Sequence, residues 1–154
     1  MKIREKLQSG KVHISFEVFP PKTDDKYESV LKAVDEIATV KPSFISVTYG
    51  AGGSSAVNQS TQEIASIIQN QYHITAMAHL TCVACTRGEA AELLAGLKRN
   101  GVENVLALRG DRNPDFPPKE DFLHANELVS FFQGTVRLIA FGLGISLAQQ
   151  GSVL

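Results

Sequence analysis

The strongest constraint in this sequence is one device used four times: a short β-rich run that ends in a polar or charged residue, then a loop, then an amphipathic helix. In the first copy Val12, Ile14, Phe16 and Val18 alternate with His13, Ser15, Glu17 and Phe19, the period of a half-buried strand. Pro20 and Pro21 stop it, because proline brings no amide to a ladder, and Thr23 with Asp24 and Asp25 gives a helix start. Tyr27, Val30, Leu31, Val34, Ile37 and Ala38 then keep helical spacing. The second copy runs from Phe44 through Thr48 and Tyr49 into the loop 50–55, with a capping box at Ser60 and Glu63 and a stripe of Ile64, Ile67 and Ile68.

The third strand, Ile74 to Leu80, carries His79 near its end, and Thr86 with Glu89 makes another capping box ahead of Leu93, Leu94 and Leu97. Asn100-Gly101 stops that helix. The fourth strand is the apolar run from Val105 to Leu108, which breaks into Arg109-Gly110-Asp111 and a loop holding Pro114, Pro117 and Pro118. A helix on Phe122, Leu123, Ala125, Leu128, Val129 and Phe132 follows, ending near Gly134.

Strands alternating with helices in units of this length predict parallel strands and an α/β fold. A doubly wound sheet buries both faces and makes its strands almost continuously apolar. Here the second face reads Ser15 and Glu17, Ser46 and Thr48, Thr75, Met77 and His79, then Ala107, Arg109 and Asp111. Polar strand ends on one face are what a (β/α)8 TIM barrel requires, with helices outside and the ligand site at the C-terminal ends of the strands. Such a barrel takes eight units and about 250 residues, so the expectation is a chain carrying only about the first four. We place a barrel-derived unit over 1–137. Residues 138–154 carry no charge. They could start as a fifth strand, but their glycines and missing turn chemistry depart from the grammar upstream and point to a non-native tail.

The charge balance, 15 Lys and Arg against 16 Asp and Glu, gives no global attraction to nucleic acid or an anionic membrane. No uninterrupted apolar stretch reaches a membrane span, and Met1 to Lys6 has no signal-peptide core, so a cytoplasmic protein with a small-molecule ligand is expected. Cys82 and Cys85 are the only cysteines and make no disulfide framework.

Glu17, at a strand end on the inner face, would be desolvated there, and burial raises a carboxyl pKa toward general-acid range; an ion pair with Arg109 is the plainer reading. The loop from Tyr49 to Ser55 can present amides to a phosphate, or be an ordinary glycine-rich turn without the P-loop lysine. His79, Cys82 and Cys85 have a spacing that suits zinc, although no fourth ligand is evident. Arg109 can bind an anion, and Asp111 can accept from a ring N–H or face a developing cation.

The four strand ends also carry motifs in order: Phe16-Glu17-Val18-Phe19-Pro20-Pro21-Lys22, Ser46-Val47-Thr48-Tyr49-Gly50-Ala51, Ala78-His79-Leu80-Thr81-Cys82 and Ala107-Leu108-Arg109-Gly110-Asp111. Together they resemble methylenetetrahydrofolate reductase over roughly residues 10 to 135. The resemblance implies a flavoprotein barrel that reduces 5,10-methylenetetrahydrofolate to 5-methyltetrahydrofolate in a ping-pong cycle, with FAD at the C-terminal mouth and NADH or NADPH as reductant. It implies that Glu17 is the general acid at the folate's bridging nitrogen, and that Asp111 tunes the flavin and stabilises the iminium. Thr48, Tyr49, Ala51, His79, Arg109, Gly110 and Asp111 fall on FAD-contacting positions, with Thr48 also near the face shared by nicotinamide and folate.

His124 and Ala125 match a Tyr-Ala pair of the family that lies against the cofactor, with histidine in place of tyrosine. The family's following Tyr-Pro-Glu-x-His-Pro motif does not occur, which implies a truncated and impaired chain. The rival readings are a non-enzymatic half-barrel that self-associates or assembles with a partner through its open edges, and a zinc module on His79, Cys82 and Cys85.

Overall fold

A computed structural model describes residues 2–21, 26–49, 55–83, 85–111, 119–135 and 140–143. Helix α1 (Ile3–Leu7) precedes β1 (Ser15–Val18), α2 (Tyr27–Thr39), β2 (Phe44–Val47), α3 (Ser55–Asn70) and β3 (Ala76–Thr81). Then come α4 (Arg87–Arg99), β4 (Asn104–Leu108), α5 (Ala125–Thr135) and β5 (Ala140–Leu143).

All the pairings are parallel and the strands stand in sequence order, β1-β2-β3-β4-β5. A doubly wound sheet reverses its strand order at a switch point, whereas a barrel adds each strand beside the last. This is therefore a partial (β/α)8 arrangement, as expected. The uncharged segment from 138 contributes Ala140–Leu143, which pairs in register with Asn104–Ala107. The Gly50–Ser54 and Pro114–Pro118 stretches and residues 144–154 lie outside the described residues.

Paired residues of neighbouring strands share a face, so the register sorts the sheet into two sides. Val18, Val47, Ala78 and Val105 form one row, and all are buried. They meet Val34 of α2, Ile64 and Ile68 of α3, Leu94 and Leu97 of α4, and Leu128 and Phe132 of α5 in one core. Each buried Leu or Ile of this kind contributes about 1.5–3 kcal/mol, which is why the helices bind this side.

The adjacent row, Glu17, Ser46, Met77 and Asn104, lies on the opposite face. Short α1, which the sequence periodicity does not announce, closes the N-terminal end of the sheet. The Ile3 N–H donates to Asn104 Oδ1 at 2.9 Å, Asn104 Nδ2 donates to the Ala76 carbonyl at 3.2 Å, and Lys6 Nζ reaches the Ser43 carbonyl at 2.8 Å. The bottom of the inner face is thereby tied off, leaving the C-terminal ends of the strands as the place for chemistry.

Two local expectations are corrected. Ser60 and Glu63 do not cap α3, because that helix already begins at Ser55. On β4 the faces are one residue out of phase with the sequence reading: Val105 and Ala107 are buried in the helix-side core, while Leu106 and Leu108 pair with His79 and Thr81 on the inner face. Counting back from Asp111 fails because the chain leaves strand geometry first, with Gly110 at φ 81°.

Candidate active site

Glu17, Ser46 and His79 are brought together by register. Glu17 stands directly opposite Ser46. His79 lies on β3 two residues beyond Met77, Ser46's partner, and so on the same face one row closer to the C-terminal end. Ser46 Oγ lies 3.5 Å from Glu17 Oε2 and 3.4 Å from the Phe16 carbonyl. His79 Nε2 lies 3.8 Å from the same Oε2.

Glu17 is not the desolvated acid expected, since its side chain is 47% exposed. Nor does it pair with Arg109. The buried member is His79, 6% exposed, and burial pushes its imidazole below the ordinary value while the Glu17 charge pulls partly the other way. It is therefore a neutral ring near neutral pH, able to donate from one nitrogen and accept at the other.

The other strand ends are fixed mainly through backbone. The Thr48 N–H donates to the Val18 carbonyl at 3.0 Å and its carbonyl accepts from the Thr61 hydroxyl at 3.0 Å, leaving Thr48 half-buried where β2 ends. Tyr49 belongs to the helix-side core, so its ring is turned away from the inner face. Ala51 lies outside the described residues. Past β4 the Arg109 carbonyl accepts from the Val83 N–H at 2.9 Å, which laces Arg109-Gly110-Asp111 to the end of β3, and the Arg109 and Asp111 side chains are exposed.

His124 is exposed and Ala125 half-buried at the start of α5. Glu127 Oε2 accepts from the Leu123 and His124 amides at 2.6 and 3.1 Å, which fixes the entry of the chain into α5.

Residues 2–144 match the family described as Methylenetetrahydrofolate reductase. The chain belongs to the methylenetetrahydrofolate reductase family. It is similar to methylenetetrahydrofolate reductase (NADH) 1 of Arabidopsis thaliana, 42% identical over 110 residues, which is 71% of this chain and 18% of that protein. It is also similar to the 5,10-methylenetetrahydrofolate reductases of Pectobacterium carotovorum and Escherichia coli, 36% and 33% identical over 124 residues, 80% of this chain and 40% of each of those proteins. The chain thus spans between about a fifth and two fifths of the length of these relatives.

Within the reductase family frame, the zinc reading is corrected by the two faces of the sheet. His79 lies on the inner face, whereas Cys82 and Cys85 sit in the helix-side core, and no group of three candidate ligands forms among the described residues. Burial pushes the Cys82 thiol up and the Cys85 thiol up to about 12, as expected for cysteines packed in an apolar core. Ser46 is the residue whose part sequence reasoning missed. Its place on the polar face was legible, but its position opposite Glu17 exists only in the strand register.

Among the described residues no helix is long and apolar enough to cross a membrane. The donor set around the strand ends is a hydroxyl at Thr48, an imidazole at His79, a guanidinium at Arg109 and a carboxylate at Asp111. That chemistry fits a polar heterocycle linked to a phosphate-bearing tail, with the cation for the tail and the small polar groups for the ring.

Proposed function

We propose that this chain carries the general-acid and flavin-contacting strand ends of an FAD-dependent oxidoreductase that reduces 5,10-methylenetetrahydrofolate to 5-methyltetrahydrofolate. The observation that carries it is the placement of the half-exposed Glu17 carboxylate on the face that no helix covers among the described residues, beside buried Ser46 and His79. Membership of the reductase family supports it.

Glu17 delivers a proton to the bridging nitrogen of the folate, the carbon–nitrogen bond breaks, and the ring opens to a cationic iminium. Asp111 places negative charge where that cation develops. Thr48, the Tyr49 backbone, Ala51, His79, Arg109, Gly110, His124 and Ala125 hold and orient FAD, with Arg109 the charged group suited to its pyrophosphate. When bound, FAD would supply the hydride chemistry, with NADH or NADPH as the reductant.

The test is titration of the purified chain with FAD, read by flavin fluorescence, followed by single-turnover folate reduction. Flavin binding weakened several-fold by Arg109→Ala is the expected result, and a chain that binds no flavin overturns the assignment. Folate reduction by the 154-residue chain alone is expected to be impaired relative to its longer relatives, because the inner face of its sheet is uncovered among the described residues. Wild-type-like turnover would overturn that part.

A second reading is favoured by one observation, the apolar exposure along β1: a non-enzymatic half-barrel that assembles with a partner subunit or a second copy. A discrete flavin-free dimer in size-exclusion chromatography with light scattering would support it over the enzyme.

A further inference from the structure

We propose that Ser46 and His79 are positioning residues that hold Glu17 by Oε2 alone, leaving Oε1 as the carboxylate atom that meets the substrate. This rests on the general-acid reading of Glu17 above and goes beyond it by assigning which oxygen works and what fixes it.

Both contacts from neighbouring strands converge on one oxygen. Ser46 Oγ stands 3.5 Å from Oε2 and His79 Nε2 stands 3.8 Å from it. No hydrogen bond or ion pair to Oε1 is made by a described residue. His79 Nε2 is a buried nitrogen without a hydrogen-bond partner among the described residues, and Glu17 Oε2 at 3.8 Å is the acceptor within reach. Its seclusion also keeps it from a ligand on the open face, so any cofactor contact at His79 uses other ring atoms.

The distances are long for hydrogen bonds, as is common at catalytic groups before the substrate is in place, and the proposal requires them to tighten there. Ser46 is 5% exposed and carries one proton, which it directs to either the Phe16 carbonyl or Oε2. When Glu17 is ionised, Oε2 is the stronger acceptor of the two. The same ionised Oε2 selects the His79 tautomer with its proton on Nε2.

A glutamate has three side-chain torsions, and a proton donor must present one oxygen to one nitrogen. Tethering Oε2 from two adjacent strands restricts that freedom, while Oε1 has no hydrogen bond or ion pair to a described residue. The neighbours of His79 add no competing charge: β2 brings Ser46 and Thr48, and β4 brings Leu106 opposite it. Glu17 is the charged group that acts on the ring's titration.

The test uses the flavin-free chain with 15N-labelled histidine, followed by NMR across pH. The wild-type ring is expected to show the Nε2–H tautomer. Glu17→Gln is expected to lower the His79 titration midpoint, because the anion that favours imidazolium is gone. Ser46→Ala is expected to lower it by less, since the carboxylate is freed but still present, and Ser46→Thr, which keeps the hydroxyl, restores the wild-type value. An Nδ1–H ring, or an unmoved midpoint in Glu17→Gln, overturns the His79 contact. An unmoved or raised midpoint in Ser46→Ala overturns the Ser46 contact.

Should Glu17→Gln fail to fold, Glu17→Asp withdraws the carboxylate by one methylene and is expected to lower the midpoint in the same direction. An unmoved midpoint there counts equally against the proposal. Because no flavin is present, the two readings fail separately. A chain with the expected shifts that binds no FAD keeps the positioning and loses the reductase assignment, and a chain that binds FAD without the shifts does the reverse.

Discussion

Gly110 sits between the two charged residues that end β4, and its backbone is at φ 81°, a region open to glycine and strained for most other residues. A Cβ there would lie 2.9 Å from Thr81 Cβ and 2.9 Å from Val83 Cγ1, both on the stretch where β3 gives way to its loop. Two costs therefore fall on Gly110→Ala, backbone strain and a steric clash, and the variant is expected to lose about 1–3 kcal/mol of stability. A urea midpoint reads this directly, and an unchanged midpoint would show that the loop relaxes freely. Close approach here also fixes Arg109 and Asp111, since the Val83 N–H to Arg109 carbonyl bond of 2.9 Å depends on it. Flavin affinity is expected to fall in Gly110→Ala even though the glycine offers no side chain.

Helix α4 shows how an element's start is fixed and what that start does for stability. Thr86 Oγ1 accepts from the Glu89 N–H at 3.2 Å, while Glu89 Oε2 accepts from the Thr86 N–H at 2.8 Å, so two orphan amides of the first turn are satisfied. Lys119 Nζ lies 2.6 Å from both Glu89 oxygens. These contacts, the lysine first and then the Thr86 amide, hold the Glu89 carboxyl down at about 2 against an ordinary 4.5. Its folded pKa is depressed, so the stabilisation is full above about 4.5 and is lost as pH falls toward 2. Glu89→Gln is expected to flatten that part of the stability-versus-pH curve, and Thr86→Ala to cost about 1 kcal/mol at neutral pH. A curve with the same acid limb in Glu89→Gln would refute the assignment. Thr86-x-x-Glu89 was legible in the sequence because the helix starts there. Ser60-x-x-Glu63 has the same pattern and lies inside α3, since a four-residue pattern cannot say where the chain enters its helix. The βα alternation and the polar strand ends at Glu17, Thr48 and His79 were likewise readable, because they depend on local period. Ser46 opposite Glu17, the phase of β4 and the docking of α1 on Asn104 were not, because each depends on how one strand registers against another.

At the scale of the whole molecule, five parallel strands in sequence order leave β1 paired with β2 alone among the described strands. The residues leading into and along β1 keep the alternation seen in the sequence, but their apolar side is poorly covered: Val12 is 94% exposed, Ile14 64% and Phe16 37%, while Val18 at the end of the row is buried. Helix α2 packs on β1 and covers the Val18 end of that row only, leaving the rest as a contiguous apolar ridge beside a strand edge that no other described strand pairs with. Such an edge is a template for another strand, and apolar side chains flanking it make the pairing favourable. The 154-residue chain is therefore expected to self-associate in a concentration-dependent way through this edge. Charges on it should prevent that: Ile14→Lys with Phe16→Lys is expected to shift the chain toward monomer in light scattering at matched concentration, while far-ultraviolet circular dichroism stays the same because neither side chain belongs to the core. A single exposed apolar change away from the edge, Val40→Lys, serves as the control, since Val40 is 63% exposed beyond the end of α2. Equal dissociation by the control would mean that general surface hydrophobicity, not the β1 edge, drives association. A chain that is monomeric at all concentrations before any substitution would show that the edge is protected by other means.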